Sequence, residues 1–106
     1  MSGGRKDDLG KPRMELLPPT ALLEVATVLT MGAAKYGDWN WFKGMKWSRL
    51  LGAANRHLAA FSTREDNDAE SGCSHLAHAI CCLLFLLTYK QLGLGEDDRP
   101  IYEIKK

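Results

Sequence analysis

The segment from Ala79 to Leu87 constrains the fold more than any other part of the chain, because it is apolar on nearly every side of a helix. It has no charge, proline or glycine, and it suits the middle of one long helix that ends at Gly93. The chain has 106 residues, enough for one domain. Three helices of this size leave part of such a segment uncovered, so we expect a second copy of the chain to complete the packing.

Apolar spacing, together with start and stop signals, indicates three main helices. Their predicted spans are about Pro19 to Lys35, Arg49 to Phe61 and Ser71 to Leu92. Pro19 suits a first helical turn, Gly37 a helix end and Ser48 an N-cap. Few β-branched residues remain for strands. The predicted fold class is therefore all-α: a single domain, residues 1–106, of three main helices completed by oligomerisation, with residues 1–15 as a flexible or ligand-ordered arm.

Charge and cysteine content argue against several classes of protein. The 14 Lys and Arg residues against 13 Asp and Glu leave a formal net charge of +1, too little to hold long nucleic acid by charge. Three cysteines, two of them adjacent in the apolar segment, argue against a disulfide framework. That segment is shorter than the roughly 20 residues that span a bilayer, and Met1 to Arg5 begins no secretory leader. We expect a cytoplasmic protein with no membrane partner.

Acidic residues and histidines lie together around the start of the third predicted helix. Four acids fall between Glu65 and Glu70, and two histidines three residues apart follow on one helical face. Carboxylate and imidazole groups bind divalent ions such as Mg²⁺ or Mn²⁺. The candidate metal ligands are Glu65, Asp68, Glu70, His75 and His78. The alternative is structural: acids stabilise the positive end of a helix, with Ser71 or Asp68 as its cap.

Cationic and aromatic residues form a second group. All three tryptophans, Trp39, Trp41 and Trp47, lie in one glycine-containing segment, and basic residues flank it. Arginine and lysine bind polyphosphates, and aromatic rings stack on bases, so the pattern indicates a nucleotide ligand. The candidate nucleotide-binding residues are Lys11, Arg13, Lys35, Tyr36, Asn40, Trp41, Lys43, Arg49, Arg56 and His57. The alternative is that the lysines are solvated, the tryptophans pack in the core and His57 is a core histidine.

Several blocks of the chain occur in a recognisable order. They are Gly10-Lys11-Pro12-Arg13, Lys35-Tyr36-Gly37-Asp38-Trp39-Asn40-Trp41, Trp47-Ser48-Arg49, Arg56-His57-Leu58, Glu70-Ser71-Gly72 and His75-Leu76-Ala77-His78-Ala79. From about Gly10 to Asp98 the chain resembles the dATP/dGTP diphosphohydrolase N-terminal family of phages and prophages. The resemblance implies a purine deoxynucleotide ligand, hydrolysis to a monophosphate and pyrophosphate, and a bacterial host cell as the location.

The chain departs from the MazG-like all-α pyrophosphohydrolases, which act on related substrates. Those proteins bind Mg²⁺ through Glu-Glu-x-x-Glu and Glu-x-x-Asp motifs, whereas this chain has His75-x-x-His78. Two interpretations follow. If the chain is an enzyme, a divalent Mg²⁺ or Mn²⁺ is its cofactor, Glu70 or His78 is the catalytic base, and basic residues neutralise the departing pyrophosphate. These basic residues are Lys11, Lys35, Arg49 and Arg56.

The other interpretation is a binding protein without a metal. It would sequester a nucleotide, such as a cyclic or ADP-ribose-derived immune signal, in an anti-defence role. A closed pocket at a subunit interface, from which the acidic residues point away, would favour this alternative. A third interpretation is a structural module whose tryptophan segment docks on a partner chain.

Overall fold

The computed structural model describes residues 3–102, which form three α-helices joined by loops. The helices are α1 (Pro19–Tyr36), α2 (Trp47–Ser62) and α3 (His75–Leu92), and short 3₁₀ helices cover Met14–Leu16 and Asn40–Lys43. Within residues 3–102 the only β-type pairs are two isolated bridges. The prediction of an all-α domain with three main helices is confirmed.

Two glycines end their helices as the sequence predicts. Gly37 follows α1 with φ +93°, and its N–H donates to the carbonyl of Ala33. Gly93 follows α3 in the left-handed region, with φ 68°, and its N–H donates to the carbonyl of Tyr89. Glycine suits both positions because side chains disfavour positive φ.

The start of α2 differs from the prediction. The helix begins at Trp47 rather than Arg49, and Lys46 precedes it without a side-chain cap, so the prediction of Ser48 as N-cap is wrong. Ser48 lies inside the first turn, where its backbone N–H donates to Asp98 at 2.9 Å. Its hydroxyl donates to the other carboxylate oxygen of Asp98 at 2.5 Å. A residue 50 positions away therefore takes the role of the cap.

The start of α3 also differs. The helix begins at His75 rather than Ser71, and Ser74 is its N-cap, accepting a hydrogen bond from the N–H of Leu76. The prediction of Ser71 or Asp68 as the cap is therefore wrong. Asp68 instead closes the preceding turn: its carboxylate accepts from the N–H of Ser71 at 2.9 Å.

The central helix is α3, which packs against both α2 and α1. Its residues Ala77 and Cys81 are buried against Val25 of α1, and larger apolar side chains surround them. These are Val28, Leu29 and Phe85. The small size of Ala77 and Cys81 lets α3 take the middle position while its first turn stays within reach of both neighbours.

Part of α3 remains exposed. Leu83 is 51% and Leu87 56% exposed, and Ile80 and Leu84 are exposed beside them. By length and composition α3 could also cross a membrane, with 33% of that window buried. The core helix of a small globular domain has the same length and composition, so this property alone assigns no location to α3.

The C-terminal segment, residues 94–98, lies beside the start of α2. The indole N–H of Trp47 donates to the carbonyl of Leu94 at 3.0 Å. The backbone N–H of Trp47 donates to the carbonyl of Glu96 at 2.9 Å. Gly95 has φ +72°, and a Cβ there would collide with the carbonyl oxygen of Met45. The segment thus holds the end of the aromatic loop, residues 37–46, against the rest of the domain.

Candidate functional site

Three imidazoles converge where α2 meets the first turn of α3. The Nδ1 atoms of His57 and His75 are 2.8 Å apart. The ring of His57 stacks on that of His78, with centroids 4.5 Å apart and planes within 7°. His75 and His78 are close because they lie one helical turn apart on the face of α3 that meets α2. We call these three residues the imidazole cluster.

Polar groups from the turn before α3 surround the imidazole cluster. The Nε2 atom of His75 is 3.1 Å from a carboxylate oxygen of Glu65. The Nε2 atom of His78 is 2.7 Å from the hydroxyl oxygen of Ser71. Asp68 lies beside them, and the N–H and hydroxyl of Ser71, together with the nearby His78 and His57, hold the pKa of Asp68 below its ordinary value. The turn therefore supplies an ionised carboxylate next to the imidazoles.

The hydrogen bonds restrict the positions of the protons in the imidazole cluster. A carboxylate only accepts, so Nε2 of His75 donates to Glu65. In a neutral His75 the lone pair is then on Nδ1, and Nδ1 of His57 donates to it. Burial lowers the pKa of His57, and the neighbouring His78 and His75 lower it further. His57 is therefore neutral near pH 7.

A divalent ion fits one subset of these groups. His57, Asp68 and His75 each offer a ligand atom, and the three atoms lie within 4.8 Å of one another. Two imidazoles with one carboxylate suit Mn²⁺ or Zn²⁺ better than Mg²⁺, which prefers oxygen ligands. Glu65 would act as the outer partner that orients His75.

The sequence-derived ligand set overlaps with this subset without matching it. Asp68 and His75 belong to both, while Glu70 is exposed and lies 3.6 Å from the ammonium of Lys35. His57, which the sequence assigns to the nucleotide, contributes to the metal subset instead. One feature of the sequence could have predicted this position: His57 lies on the apolar stripe of α2, the side that packs against α3. Ser71, the partner of His78, was also missed as a site residue.

A groove of about 890 Å³ extends from α1 across the aromatic loop to the turn before α3. We call it the aromatic groove, and its volume is in the range of small-molecule sites. The chemistry-bearing side chains that line it are Thr30, Lys35, Tyr36, Asp38, Trp39, Asn40, Trp41, Arg49, Asp68, Glu70, Ser71 and His78. The groove thus joins aromatic rings, a guanidinium and one edge of the imidazole cluster.

The aromatic loop is anchored to α3 through Trp41. The indole of Trp41 stacks in parallel on Phe85, with centroids 4.4 Å apart and planes within 12°. The backbone carbonyl of Trp41 accepts a hydrogen bond from the hydroxyl of buried Tyr89. These contacts hold the wall of the groove in place by packing and by one buried polar contact.

Of the ten residues that the sequence assigns to a nucleotide, five line the aromatic groove. They are Lys35, Tyr36, Asn40, Trp41 and Arg49. The other five are placed elsewhere. His57 lies in the imidazole cluster, and Lys11 and Arg13 lie in the exposed N-terminal arm, where Arg13 pairs with Glu15. Lys43 is exposed on its 3₁₀ helix, and Arg56 is exposed on α2. Glu65 and His75 of the predicted metal set likewise lie outside the groove lining.

Comparisons with known proteins identify relatives of the chain. A family model described as dATP/dGTP diphosphohydrolase, N-terminal, matches residues 1–99. A protein of Salmonella phage PMBT28 named dATP/dGTP diphosphohydrolase is 41% identical over 96 residues, which make up 91% of this chain and 33% of that protein. The chain therefore spans about a third of the length of that relative. No solved structure matches this chain.

Proposed function

Because the chain belongs to the dATP/dGTP diphosphohydrolase N-terminal family, we propose that it binds a purine deoxynucleoside triphosphate in the aromatic groove and hydrolyses it to a monophosphate and pyrophosphate. One observation carries the proposal: a single groove joins stacking rings, Arg49 and the ionised Asp68 with His78. A base, a polyphosphate and an attacking water each need one of these groups. The proposed location is the cytoplasm of a phage-infected bacterium.

The cationic residues of the groove serve the phosphates. Arg49 presents a planar set of donors that binds two phosphate oxygens at once, and Lys35 adds a point charge. Lys35 now pairs with Glu70 at 3.6 Å, a contact between exposed groups that a phosphate can replace at little cost. These charges offset the negative charge that develops on the departing pyrophosphate.

His57, Asp68 and His75 are the proposed ligands of the divalent ion. When bound, that ion supplies Lewis-acid polarisation of the phosphates and a lower pKa of water. The ring nitrogens and the carboxylate oxygen of these residues fit such an ion. Bonds to the ion would replace the hydrogen bond between Nδ1 of His57 and Nδ1 of His75. His57 is neutral, as an imidazole ligand must be.

His78 is the proposed base. It lines the groove, and its Nε2 is 2.7 Å from the hydroxyl of Ser71, which orients the ring. Water attacks the α-phosphorus, the bond to the bridging oxygen breaks, and His78 takes the proton from the water. Glu70, the other candidate base, also lines the groove, but its pairing with Lys35 makes it the weaker base candidate.

A non-catalytic nucleotide-sequestering protein is the second candidate function. It is favoured by the closed hydrogen bonding of the imidazole cluster: within the described residues, every buried side-chain nitrogen or oxygen has a protein partner. Such a cluster holds the fold without a metal. The acidic residues argue the other way, because Asp68 and Glu70 line the groove instead of pointing away from it.

We also propose that a second copy of the chain covers the exposed apolar face of α3. Leu83, Leu84 and Leu87 form that face with Ile80, and contiguous apolar patches of this kind mark interaction surfaces. Light scattering of the purified chain should give the mass of a dimer or larger assembly. A monomer that is unchanged by Leu83→Lys contradicts this proposal.

The hydrolysis test uses dATP and dGTP, with dTTP for comparison, in the presence of Mn²⁺ or of a chelator. Chromatography then measures monophosphate and pyrophosphate, and separately the nucleotide that elutes with the protein. We expect metal-dependent release of pyrophosphate from the purine nucleotides. His78→Gln should lower the turnover rate by about 10²-fold or more, the range for loss of a general base.

Thr88→Val is a matched control, because Thr88 lies on α3 outside the groove lining and its hydroxyl donates to the carbonyl of Leu84. This variant should keep the wild-type rate. Intact dATP that co-elutes with the protein, with no pyrophosphate at any metal concentration, would overturn hydrolysis and leave the sequestering function.

A further inference from the structure

We propose that Trp39 is the platform on which the base of the bound nucleotide stacks. The proposal rests on nucleotide binding in the aromatic groove, and it identifies the residue that distinguishes a base from a bare polyphosphate. The sequence offers three tryptophans as candidates, and the structure separates them by what each ring already contacts.

Each of the other two tryptophan rings already has a partner against one face. Trp41 has one face in parallel contact with Phe85, at 4.4 Å between centroids. Trp47 donates its indole N–H to Leu94, and the guanidinium of Arg99 lies over its ring at 5.1 Å from the centroid. Both rings therefore serve the packing of the domain.

Tyr36 also lines the groove, but its ring has a cation over it. The ammonium of Lys35 lies 5.1 Å from the centroid of the Tyr36 ring. A base that stacked on that face would displace the ammonium and lose the cation–π contact. Tyr36 is thus a poorer platform than an uncovered ring of the same groove.

Trp39 is such a ring. Its side chain is 69% exposed, and it lines the aromatic groove. It touches Trp41 in a tilted arrangement, with centroids 5.9 Å apart and planes at 43°. It meets Phe42 edge to face at 6.3 Å. Among the described residues, no ring stacks in parallel on Trp39, so a planar ligand can.

The backbone of Trp39 gives a second, independent reason. Trp39 has φ 61° and ψ 18°, in the left-handed region that is unfavourable for a bulky side chain. Glycine or asparagine would suit this position better for folding alone. A residue whose backbone is strained and whose large apolar ring is exposed contributes little to the fold. This combination is expected of a binding residue.

The experiment measures binding by calorimetry in EDTA, so that no turnover occurs. The two probes are dATP and inorganic tripolyphosphate, which shares the phosphates and lacks the base. Trp39→Gly removes the ring and suits the left-handed backbone. We expect it to weaken dATP binding about tenfold or more, since a base–aromatic stack is lost, and to leave the affinity for tripolyphosphate unchanged within about twofold.

Two further variants make the result specific. Phe61→Leu changes an exposed aromatic residue of α2 that lies outside the groove lining, and it should leave the affinity for dATP unchanged. Trp39→Phe keeps a smaller ring, so it should lose much of the quenching of tryptophan fluorescence by dATP while weakening binding only by about two- to fivefold. That variant also provides a result if Trp39→Gly fails to fold.

The outcomes separate this proposal from the proposed function. Wild-type protein that binds tripolyphosphate and dATP equally, or a Trp39→Gly variant that binds dATP normally, would overturn the platform while nucleotide binding stands. If Trp39→Gly lost affinity for dATP and for tripolyphosphate equally, Trp39 would serve the fold instead of the base. That result would also overturn the platform. A wild type that binds no dATP in EDTA and releases no pyrophosphate with Mn²⁺ would overturn the proposed function and the platform together.

Discussion

The hydroxyl of Tyr89, in the last turn of α3, donates a hydrogen bond to the backbone carbonyl of Trp41 in the aromatic loop. Tyr89 is fully buried, and burial raises the pKa of its hydroxyl, so it stays protonated and can donate. The contact joins residues 48 positions apart. It couples the end of the central helix to the wall of the aromatic groove.

Tyr89→Phe should therefore destabilise the protein and loosen the groove. The carbonyl of Trp41 loses its buried donor, which costs about 1 to 3 kcal/mol of unfolding free energy. Urea unfolding measures this loss, and the tryptophan emission should shift toward that of solvated indole. Tyr102→Phe, at an exposed residue, is the matched control and should change neither quantity. Equal stability of the Tyr89→Phe variant and the wild type would contradict the coupling.

Two glycines should respond to alanine in opposite directions. Gly95 has φ +72°, and an added Cβ would collide with the carbonyl oxygen of Met45. Gly95→Ala should therefore lower the free energy of unfolding by about 1 to 3 kcal/mol. Gly32 lies inside α1 with no atom within 4 Å of an added Cβ. Gly32→Ala should stabilise the protein by about 0.5 to 1 kcal/mol. Thermal unfolding of both variants checks the signs; two shifts of the same sign would be inconsistent with this packing.

The pairing of Asp98 with Ser48 should make stability depend on pH. The hydroxyl and then the N–H of Ser48 hold the pKa of Asp98 below its ordinary value. As the pH falls below about 4, the unfolded chain takes up the proton first. The stabilisation is thus complete above that range and is lost as the pH falls through the pKa of the folded state.

Urea midpoints between pH 7 and pH 2.5 measure this dependence. Asp98→Asn should lower the midpoint at pH 7 and make the acid side of the curve shallower. Asp7→Asn removes the same charge from the exposed N-terminal arm and should follow the wild type. Coinciding curves for Asp98→Asn and the wild type would show that the pairing with Ser48 adds no stability.

Local patterns predicted the helices well because their causes are local. The positions of Pro19, Gly37 and Gly93 were sufficient to place three helix ends. Ser48 was predicted as an N-cap because serine is common at that position and an apolar stripe follows it. The group that actually satisfies that turn is Asp98, and only the packed chain brings it there.

The site was predicted less completely, for the same reason. His75 and His78 are neighbours on one helix, so their spacing revealed a shared face. His57 joins them through the packing of α2 on α3, a contact that no local spacing encodes. Residue types also gave no means of choosing among three tryptophans, because the ring contacts that distinguish them arise only in the folded domain.

The assignment of His57 to the proposed metal site yields the sharpest test of that proposal. The structure groups His57 with Asp68 and His75, whereas the sequence pattern groups Glu65, Glu70 and His78 with the last two. An ion that binds only the folded state raises its stability by about 2.7 kcal/mol when present at 100 times its Kd. Adding Mn²⁺ to the wild type should therefore raise the thermal midpoint, and a chelator should reverse the change.

Three variants decide between the two ligand sets, and a fourth, at His75, tests a ligand that both sets share. His57→Gln and His75→Gln should abolish the Mn²⁺-dependent shift, whatever their own midpoints are, because each removes one of three ligands. Glu70→Gln and His78→Gln should keep the shift, since Glu70 pairs with Lys35 and His78 bonds to Ser71. If Glu70→Gln abolished the shift while His57→Gln kept it, the ion would lie in the acidic turn, and His57 would be a packing residue between the two helices.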